Sequence, residues 1–314
     1  MKQYAAKRLL QLIPLLFGIT FLSFAMMRLA GSDPILQQME RTGIILSQEV
    51  IEEERERMGL NQPFLVQYGS WLMGVLRGDM GTSYMSGQDV FSTFLSKLPA
   101  TLLLTVLSIL LTILISVPLG ILSAVRHDRW LDWLIRGCGF FGSSMPNFFV
   151  GLLLMYVFSI RLGILPVISQ GTDIRSALLP GLTLAIAMSA KYLRQVRAAV
   201  LEELEKEYVA GAMARGVPFP VILTGSVLRT CLSTIITLLA LSAGSLLGGT
   251  AIVESIFMWD GVGKLAVDAI NMRDYPMIQA YVMWMAVIYV CVNLAADLSY
   301  HLLDPRVRLG GMGK

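Results

Sequence analysis

The chain has 314 residues, with 25 Lys and Arg against 22 Asp and Glu and a formal net charge of +3. Hydrophobic residues make up 55% and charged residues only 15%, far from the roughly 25% charged of soluble domains, and the mean hydropathy is +0.66. These values exclude a soluble globular domain and describe an integral membrane protein, and a net charge of +3 spread over several loops implies no nucleic-acid partner.

Apolar runs long enough to cross the hydrocarbon fall at about 9–29, 99–125, 134–160, 178–199, 232–256 and 279–303. None alternates with period two, so the expected class is an all-α membrane protein with six transmembrane helices and no second, soluble domain. The first span follows Lys7 and Arg8, is succeeded by Arg28 and lacks a small-residue cleavage site, so it reads as an uncleaved anchor. The external segment 31–97 is too long for a simple connector. In it, Ser47 is placed to cap a charged helix with Glu49, Glu52, Glu53, Arg55, Glu56 and Arg57 that closes at Gly59. A second helix from about Pro63 puts Phe64, Leu65, Tyr68, Trp71, Leu72, Val75 and Leu76 on one face, either the core of a small external subdomain or a membrane-surface stripe.

Span two opens at Leu98–Pro99 and carries Pro118 and Gly120 near its inner end. Beyond the short loop Arg126–Arg129, span three holds Gly139, Gly142, Ser143, Ser144, Pro146 and Asn147. Small and helix-disturbing residues at such depth either let helices approach closely or line a water-filled path. Span four ends in Lys191, Arg194 and Arg197, which can snorkel. The stretch 200–230 is too polar to enter the bilayer and reads as helix, turn, helix: Tyr208 to Arg215, a stop at Gly216, a Val-Pro-Phe-Pro break, then Val221 to Arg229. Span five contains Gly244, Gly248 and Gly249, a pattern of tight packing or of pathway lining. After it come a turn at Phe257–Gly263, a short helix at Lys264–Met272 and the entry to span six at Arg273–Pro276.

Lys and Arg gather in one set of loops, with Arg126, Arg129, Arg194, Arg197, Lys206, Arg215, Arg229, Arg306 and Arg308. These are therefore cytoplasmic, and both termini are expected inside. Cys138, Cys231 and Cys291 show no paired spacing, so packing roles are expected. His127 and His301 are the only two histidines, and neither a P-loop nor a nucleophile or zinc motif is present, so no catalytic or metal residues are assigned. Asn293, Asp297 and His301 share a face of span six near its inner end, where structural pairing is favoured over ligation.

Several of these segments together resemble one family. The run Tyr208, Val209, Ala210, Gly211, Ala212, Ala214, Arg215, Gly216 is similar to the "EAA" loop of binding-protein-dependent ABC importer permeases in the dipeptide, oligopeptide and nickel branch, without the Glu. Met58–Tyr68, Gly78–Ser83, Phe257–Gly263 and the Arg273–Pro276 turn look like branch hallmarks, although Asp260 replaces a usual Pro. The resemblance implies a type I importer fold with this loop as a coupling helix. It also implies a second homologous permease, two ATPase subunits that carry ATP and Mg, and an extracytoplasmic binding protein. The chain itself would hold no cofactor and would sit in a bacterial or archaeal cell (inner) membrane. Candidate pathway residues are Ser143, Ser144, Pro146, Asn147, Gly244, Gly248 and Gly249.

For cargo, 190–197, 244–250 and 304–311 resemble nickel permeases somewhat more than peptide ones, so nickel, free or chelated, is expected, with di- or oligopeptides as the alternative. A self-powered secondary transporter would need acid and base residues deep in several spans, and a membrane enzyme a buried nucleophile or metal cluster; neither pattern is present. Cysteines placed at Gln62 and Lys264 are expected to react with an impermeant thiol reagent in intact cells, and reaction only after lysis would invert the topology.

Overall fold

The structure is a computed structural model that describes residues 2–29, 33, 35–36, 39, 43–168, 173–232, 235–236, 244, 246, 248 and 250–303, the side chains of 2–7, 9 and 296–303 excepted. Among them the regular structure is helical: α1 (Lys2–Leu29), α2 (Gln48–Arg57), α3 (Phe64–Leu76), α4 (Val90–Val125), α5 (Trp130–Ser144) and α6 (Asn147–Leu154). These are followed by α7 (Ile174–Leu204), α8 (Glu207–Ala214), α9 (Phe219–Ile222), α10 (Ala251–Ile256), α11 (Val262–Met272) and α12 (Tyr275–Leu303). Four stretches are long and apolar enough to span a bilayer: Leu10–Leu29, Val90–Val125, Ile174–Leu204 and Tyr275–Ala295. A fifth is counted if the broken pair Trp130–Ser144 and Asn147–Arg161, bent by 105°, is one span. The six spans expected from the sequence therefore reduce to four or five among the described residues, because about half of the expected fifth, at 232–256, lies outside them.

The chain divides into two compact units, Met1–Pro99 with Gly261–Ile288, and Ala100–Asp260 with Tyr289–Lys314. In the first, the apolar face of α3 packs on α1. Tyr68 and Trp71 meet Phe24, Tyr68 stands edge-on to Phe17 and Phe21, and Phe64 does the same to Phe21 and Phe24. That settles half of the open question, since the inner part of the stripe is a core against the first span while Leu65 and Leu76 stay exposed. Two polar ties run through this core: Thr20 Oγ1 and the Tyr68 hydroxyl lie 3.0 Å apart, and Gln279 Nε2 donates to the Thr20 carbonyl at 2.8 Å. Around them Met80, Val90, Ala269, Met277, Ala280 and Met283 form a buried cluster. Outside it, Ser47 caps α2 by accepting from the Val50 N–H, and Arg55 grips Asp33 with two donors at 2.8 and 2.5 Å.

The second unit is organised by an unusual stripe on α4. Thr101, Thr105, Ser108, Thr112 and Ser116 recur every three or four residues and are all buried. Thr105, Ser108 and Thr112 return their hydroxyl protons to the carbonyl one turn earlier, at 2.7–2.8 Å, and Thr101 donates to Glu254, whereas the buried Ser116 hydroxyl has no hydrogen-bond partner among the described residues. Small side chains let backbones meet. A Cβ on Gly120 would lie 2.8 Å from Val196 of α7, and one on Gly181 of α7 would lie 3.1 Å from Leu107 of α4. Leu104, Leu154, Leu179, Leu184, Val253, Phe257 and Trp259 fill the rest of this core.

Gly120→Ala places a methyl where neither Val196 nor the Leu193 carbonyl, 3.1 Å away, leaves room. Overpacking of this kind costs about 1–3 kcal/mol. The thermal midpoint of the detergent-solubilised protein should fall, and an unchanged midpoint would refute the close approach.

Candidate functional site

At the polar end of α7 the chain builds a short helix on an anchored base. Lys206 precedes α8 with an extended backbone, and its carbonyl accepts from the Val209 N–H at 3.0 Å. Gly216 has φ +79°, a left-handed value natural to glycine. There the Gly216 N–H donates to the Met213 carbonyl and the Val217 N–H reaches back to Ala212, the paired closure that ends a helix. The helix thus runs Glu207–Ala214, where the sequence placed it within a residue. Its inner face is fixed. Val209 is fully buried in a cluster with Tyr192, Val196, Val200, Ile222 and Val227, and Ala212 packs against the same group. Glu203, buried on α7, accepts from the Tyr208 hydroxyl at 3.0 Å and from Lys206 Nζ at 2.5 Å. Burial and then the Glu203 carboxylate push the Tyr208 phenol up to about 12, so it remains a donor at any physiological pH. The outer face is open: Ala210, Met213, Ala214, Arg215 and Gly216 are exposed and Gly211 is partly so, as are the apolar side chains of Phe219 and Val221 beyond the break. The expected second helix starts at Phe219 and passes through a wide π-helical turn at Leu223–Val227.

Next to this base stands a latch that the sequence reading did not foresee. Asp132, in the first turn of α5, has a fully buried side chain. Arg197 of α7 grips both its oxygens, Nε to Oδ1 at 2.9 Å and Nη2 to Oδ2 at 2.8 Å. Ser123 of α4 donates to Oδ1, and the Asp128 N–H, on a left-handed residue with φ 56°, donates to Oδ2 at 3.1 Å. One carboxylate therefore ties α4, the α4–α5 turn, α5 and α7. The ligand atoms of His127, Asp128 and Asp132 fall within 4.8 Å of one another. A guanidinium already fills the charge that a cation would need there. Arg197 had been read as a snorkelling interface residue.

The cluster of Gly139 to Asn147 proves to be a break between helices. α5 stops at Ser144, Met145 and Pro146 are extended, and α6 starts afresh at Asn147. Ser143 and Ser144 both donate to the Phe140 carbonyl at 2.9 Å, and all of 143–149 is exposed. On the opposite side small residues admit neighbours: a Cβ on Gly151 would lie 3.2 Å from Phe257 and 3.3 Å from Thr183, and one on Gly142 would lie 3.8 Å from Ala190. Of the span-five glycines, Gly244 is close-packed, with Asn293 Oδ1 and Tyr289 each 3.1 Å from where a Cβ would stand, whereas Gly248 is open and Gly249 lies outside the described residues. The side chains of Asp297 and His301 also lie outside the described set; Asn293 is turned to Gly244.

A second buried carboxylate, Glu254 on α10, accepts from Thr101 Oγ1 at 2.8 Å, and the Trp259 indole N–H, with no exposed surface, donates to the Ala100 carbonyl at 3.0 Å. Met258 between them is left-handed at φ 53°. Sequence reading took this stretch as a tight turn; that it closes on the start of α4 depended on a burial that no local pattern encodes.

Residues 116–309 match the family model described as "Binding-protein-dependent transport system inner membrane component", and residues 1–105 match the N-terminal model of the same systems. The chain is 39% identical to the oligopeptide transport system permease protein AppB of Bacillus subtilis, over 98% of this chain and 99% of that one. It is 33% identical to the dipeptide transport system permease protein DppB of Alkalihalophilus pseudofirmus, over 98% and 100%. It is 35% identical to the glutathione transport system permease protein GsiC of Escherichia coli, over 98% and 99%. Among solved structures, an inward-facing form of the MetNI methionine ABC transporter superposes with a TM-score of 0.58 at 17% identity, covering 68% of this chain and 96% of that one. The shared feature there is the fold.

Arg197→Gln leaves the Asp132 carboxylate buried without its partner, a loss of about 3–5 kcal/mol in comparable pairs. The single variant should accumulate poorly in membranes, and adding Asp132→Asn should restore much of the level. Equal loss in single and double variants would show that the pair is not the unit that matters.

Proposed function

This chain belongs to the family of binding-protein-dependent transport system inner membrane components, and on that footing we propose that it supplies half of the transmembrane pathway of an ATP-driven importer. A second homologous permease supplies the other half. Two ATPase subunits bind and hydrolyse ATP with Mg on the cytoplasmic side, an extracytoplasmic binding protein delivers the cargo, and this subunit performs no hydrolysis itself. The protein is embedded in the cell (inner) membrane with both termini in the cytoplasm.

The observation that carries this reading is the short helix 207–216, locked to α7 on one face by Val209 and Glu203 and bare on the other. A loop with no partner gains nothing from a rigid base beneath an exposed surface of small and apolar side chains. A helix that must transmit the motion of another subunit requires both. The break between α5 and α6 fits the pathway role, since backbone and hydroxyls exposed at membrane depth need water or protein around them. On this reading Ser143, Ser144, Pro146 and Asn147, all exposed, line it together with the open Gly248, whereas Gly244 packs against Tyr289 and Asn293 of α12.

On cargo, the order of preference from the sequence reverses. Nickel came first there; the named relatives, alike over nearly the whole chain, are oligopeptide, dipeptide and glutathione permeases. Short peptides are therefore the proposed cargo. Peptides also need no ladder of nitrogen ligands, which two histidines cannot provide for nickel.

In the assembled, reconstituted complex, Met213→Glu should leave insertion and assembly intact and reduce cargo-stimulated ATP hydrolysis to its basal level. The site is in water, and unlike Gly216 it requires no left-handed backbone. Normal stimulation would overturn the coupling role. Cells carrying the intact system should take up a labelled di- or tripeptide, and deletion of this chain should abolish that uptake without changing nickel accumulation. The reverse result would reinstate the metal reading.

A further inference from the structure

We infer that α3 lies in the outer leaflet of the bilayer, seated on α1 by one face and covered by lipid acyl chains on another, with both its ends turned to the external side. This rests on the membrane orientation proposed above.

A core of an external subdomain accounts for one face of α3 only. Phe64, Tyr68, Trp71 and Val75 recur every three or four residues and form the packed face, the first three against aromatic rings of α1. A second stripe on the outer side, Leu65, Gly69, Met73 and Leu76, keeps the same spacing and is exposed, Leu65 to 69% and Leu76 to 75%. A helix with water on its outer side carries polar residues there, and one that is apolar on every side belongs in a core or a membrane. Neighbouring α2 shows the contrast: seven of its ten residues are charged, whereas none of the 13 in α3 is. Among the exposed side chains of α3, Ser70 alone is polar, and it lines a cavity shared with the loop Asp79–Gly87.

Depth identifies what covers the second stripe. The apolar stretch Leu10–Leu29 of α1 rises about 30 Å, the thickness of the hydrocarbon. Phe17, Phe21 and Phe24, the rings that α3 touches, lie about 18, 12 and 8 Å along the helix from its outer end at Leu29. Start and finish of α12 give an independent gauge: Trp71 and Val75 pack on the cluster of Met277, Ala280 and Met283, which lie about 3 to 12 Å from the outer start at Tyr275. Both gauges place α3 chiefly within the roughly 15 Å of one leaflet. At about 20 Å in length it is too short to cross.

The ends of α3 suit that position, because hydrocarbon tolerates a helix whose backbone groups are met locally. Gly78, at φ +86°, donates its N–H to the Val75 carbonyl at 3.0 Å, and the Asp79 N–H reaches Gly74 at 2.9 Å. At the start, Pro63 brings no N–H, and its carbonyl accepts from Val66 and Gln67 at 2.9 and 3.1 Å. Gln67 folds back, with Nε2 donating to the Leu60 and Gln62 carbonyls at 2.9 and 2.6 Å. A helix that rests on a membrane surface has a charged face for the water. With no such face, α3 is immersed.

The test uses the intact complex in nanodiscs of phosphatidylcholine brominated midway along one acyl chain, with a fluorescent amino acid introduced at one position at a time. At Leu65, Met73 and Leu76 the bromine should quench emission as strongly as at Leu22, an exposed α1 position about 10 Å from Leu29. At Glu53, exposed on α2, emission should be unchanged. Unquenched α3 positions beside a quenched Leu22 overturn the inference and leave the membrane reading standing, whereas an unquenched Leu22 overturns both. A photoreactive residue at Met73 that captures the binding protein or the second permease in place of lipid also overturns it. The Gln62 cysteine reports the side, and its reaction with an impermeant reagent only after lysis would remove α3 from the outer leaflet. Peptide uptake by the complex in proteoliposomes tests the transport reading separately, so either proposal can fail alone.

Discussion

Hydrocarbon offers no hydrogen bond, and the way this chain arranges its buried polar atoms follows from that fact. The hydroxyl stripe of α4 is the clearest case. Thr105, Ser108 and Thr112 spend their protons on their own helix, which frees the stripe to be small, and a small stripe is what lets α7 approach to the distance set at Gly120 and Val196. Packing in a membrane depends on such close approach, because burial of apolar surface supplies no drive between helices already in an apolar solvent.

The charged atoms follow the same rule with larger stakes. Asp132 receives two donors from Arg197, one from Ser123 and one from the Asp128 backbone, so both its oxygens are engaged. Glu203 and Glu254 receive hydroxyl protons from Tyr208 and Thr101. Asp132 and Glu254 join segments that are remote in sequence, Glu203 ties the end of α7 to the helix that follows it, and each lies next to a region with a candidate functional role. The latch at Asp132 starts the helix that later breaks, Glu203 holds the short helix α8, and Glu254 lies beside the left-handed turn at Met258.

Local signals made much of this legible beforehand. Ser47, Gly59 and Pro63 bounded the helices α2 and α3, and Gly216 ended the short helix α8, because caps and glycines act within a few residues. The break at Met145–Pro146 was foreseen as a disturbance in span three, though not as a 105° bend, since a proline announces a disruption without its angle. The pairing of Asp132 with Arg197, 65 residues apart, and of Thr101 with Glu254 left no local trace. Gly244 shows the limit from the other side: a glycine pattern admits both close packing and an open wall, and only the position of Asn293 separates them.

The length of α7 has a mechanical consequence. Its 31 residues extend about 46 Å, whereas the hydrocarbon is about 30 Å thick. Close to half of the difference, or more, must emerge on the side that carries Glu203. The short helix therefore sits at the tip of a strut, and a small displacement imposed there is transmitted along one continuous helix, whose ladder lacks a donor at Pro180 near the far end, where a flexible linker would absorb it.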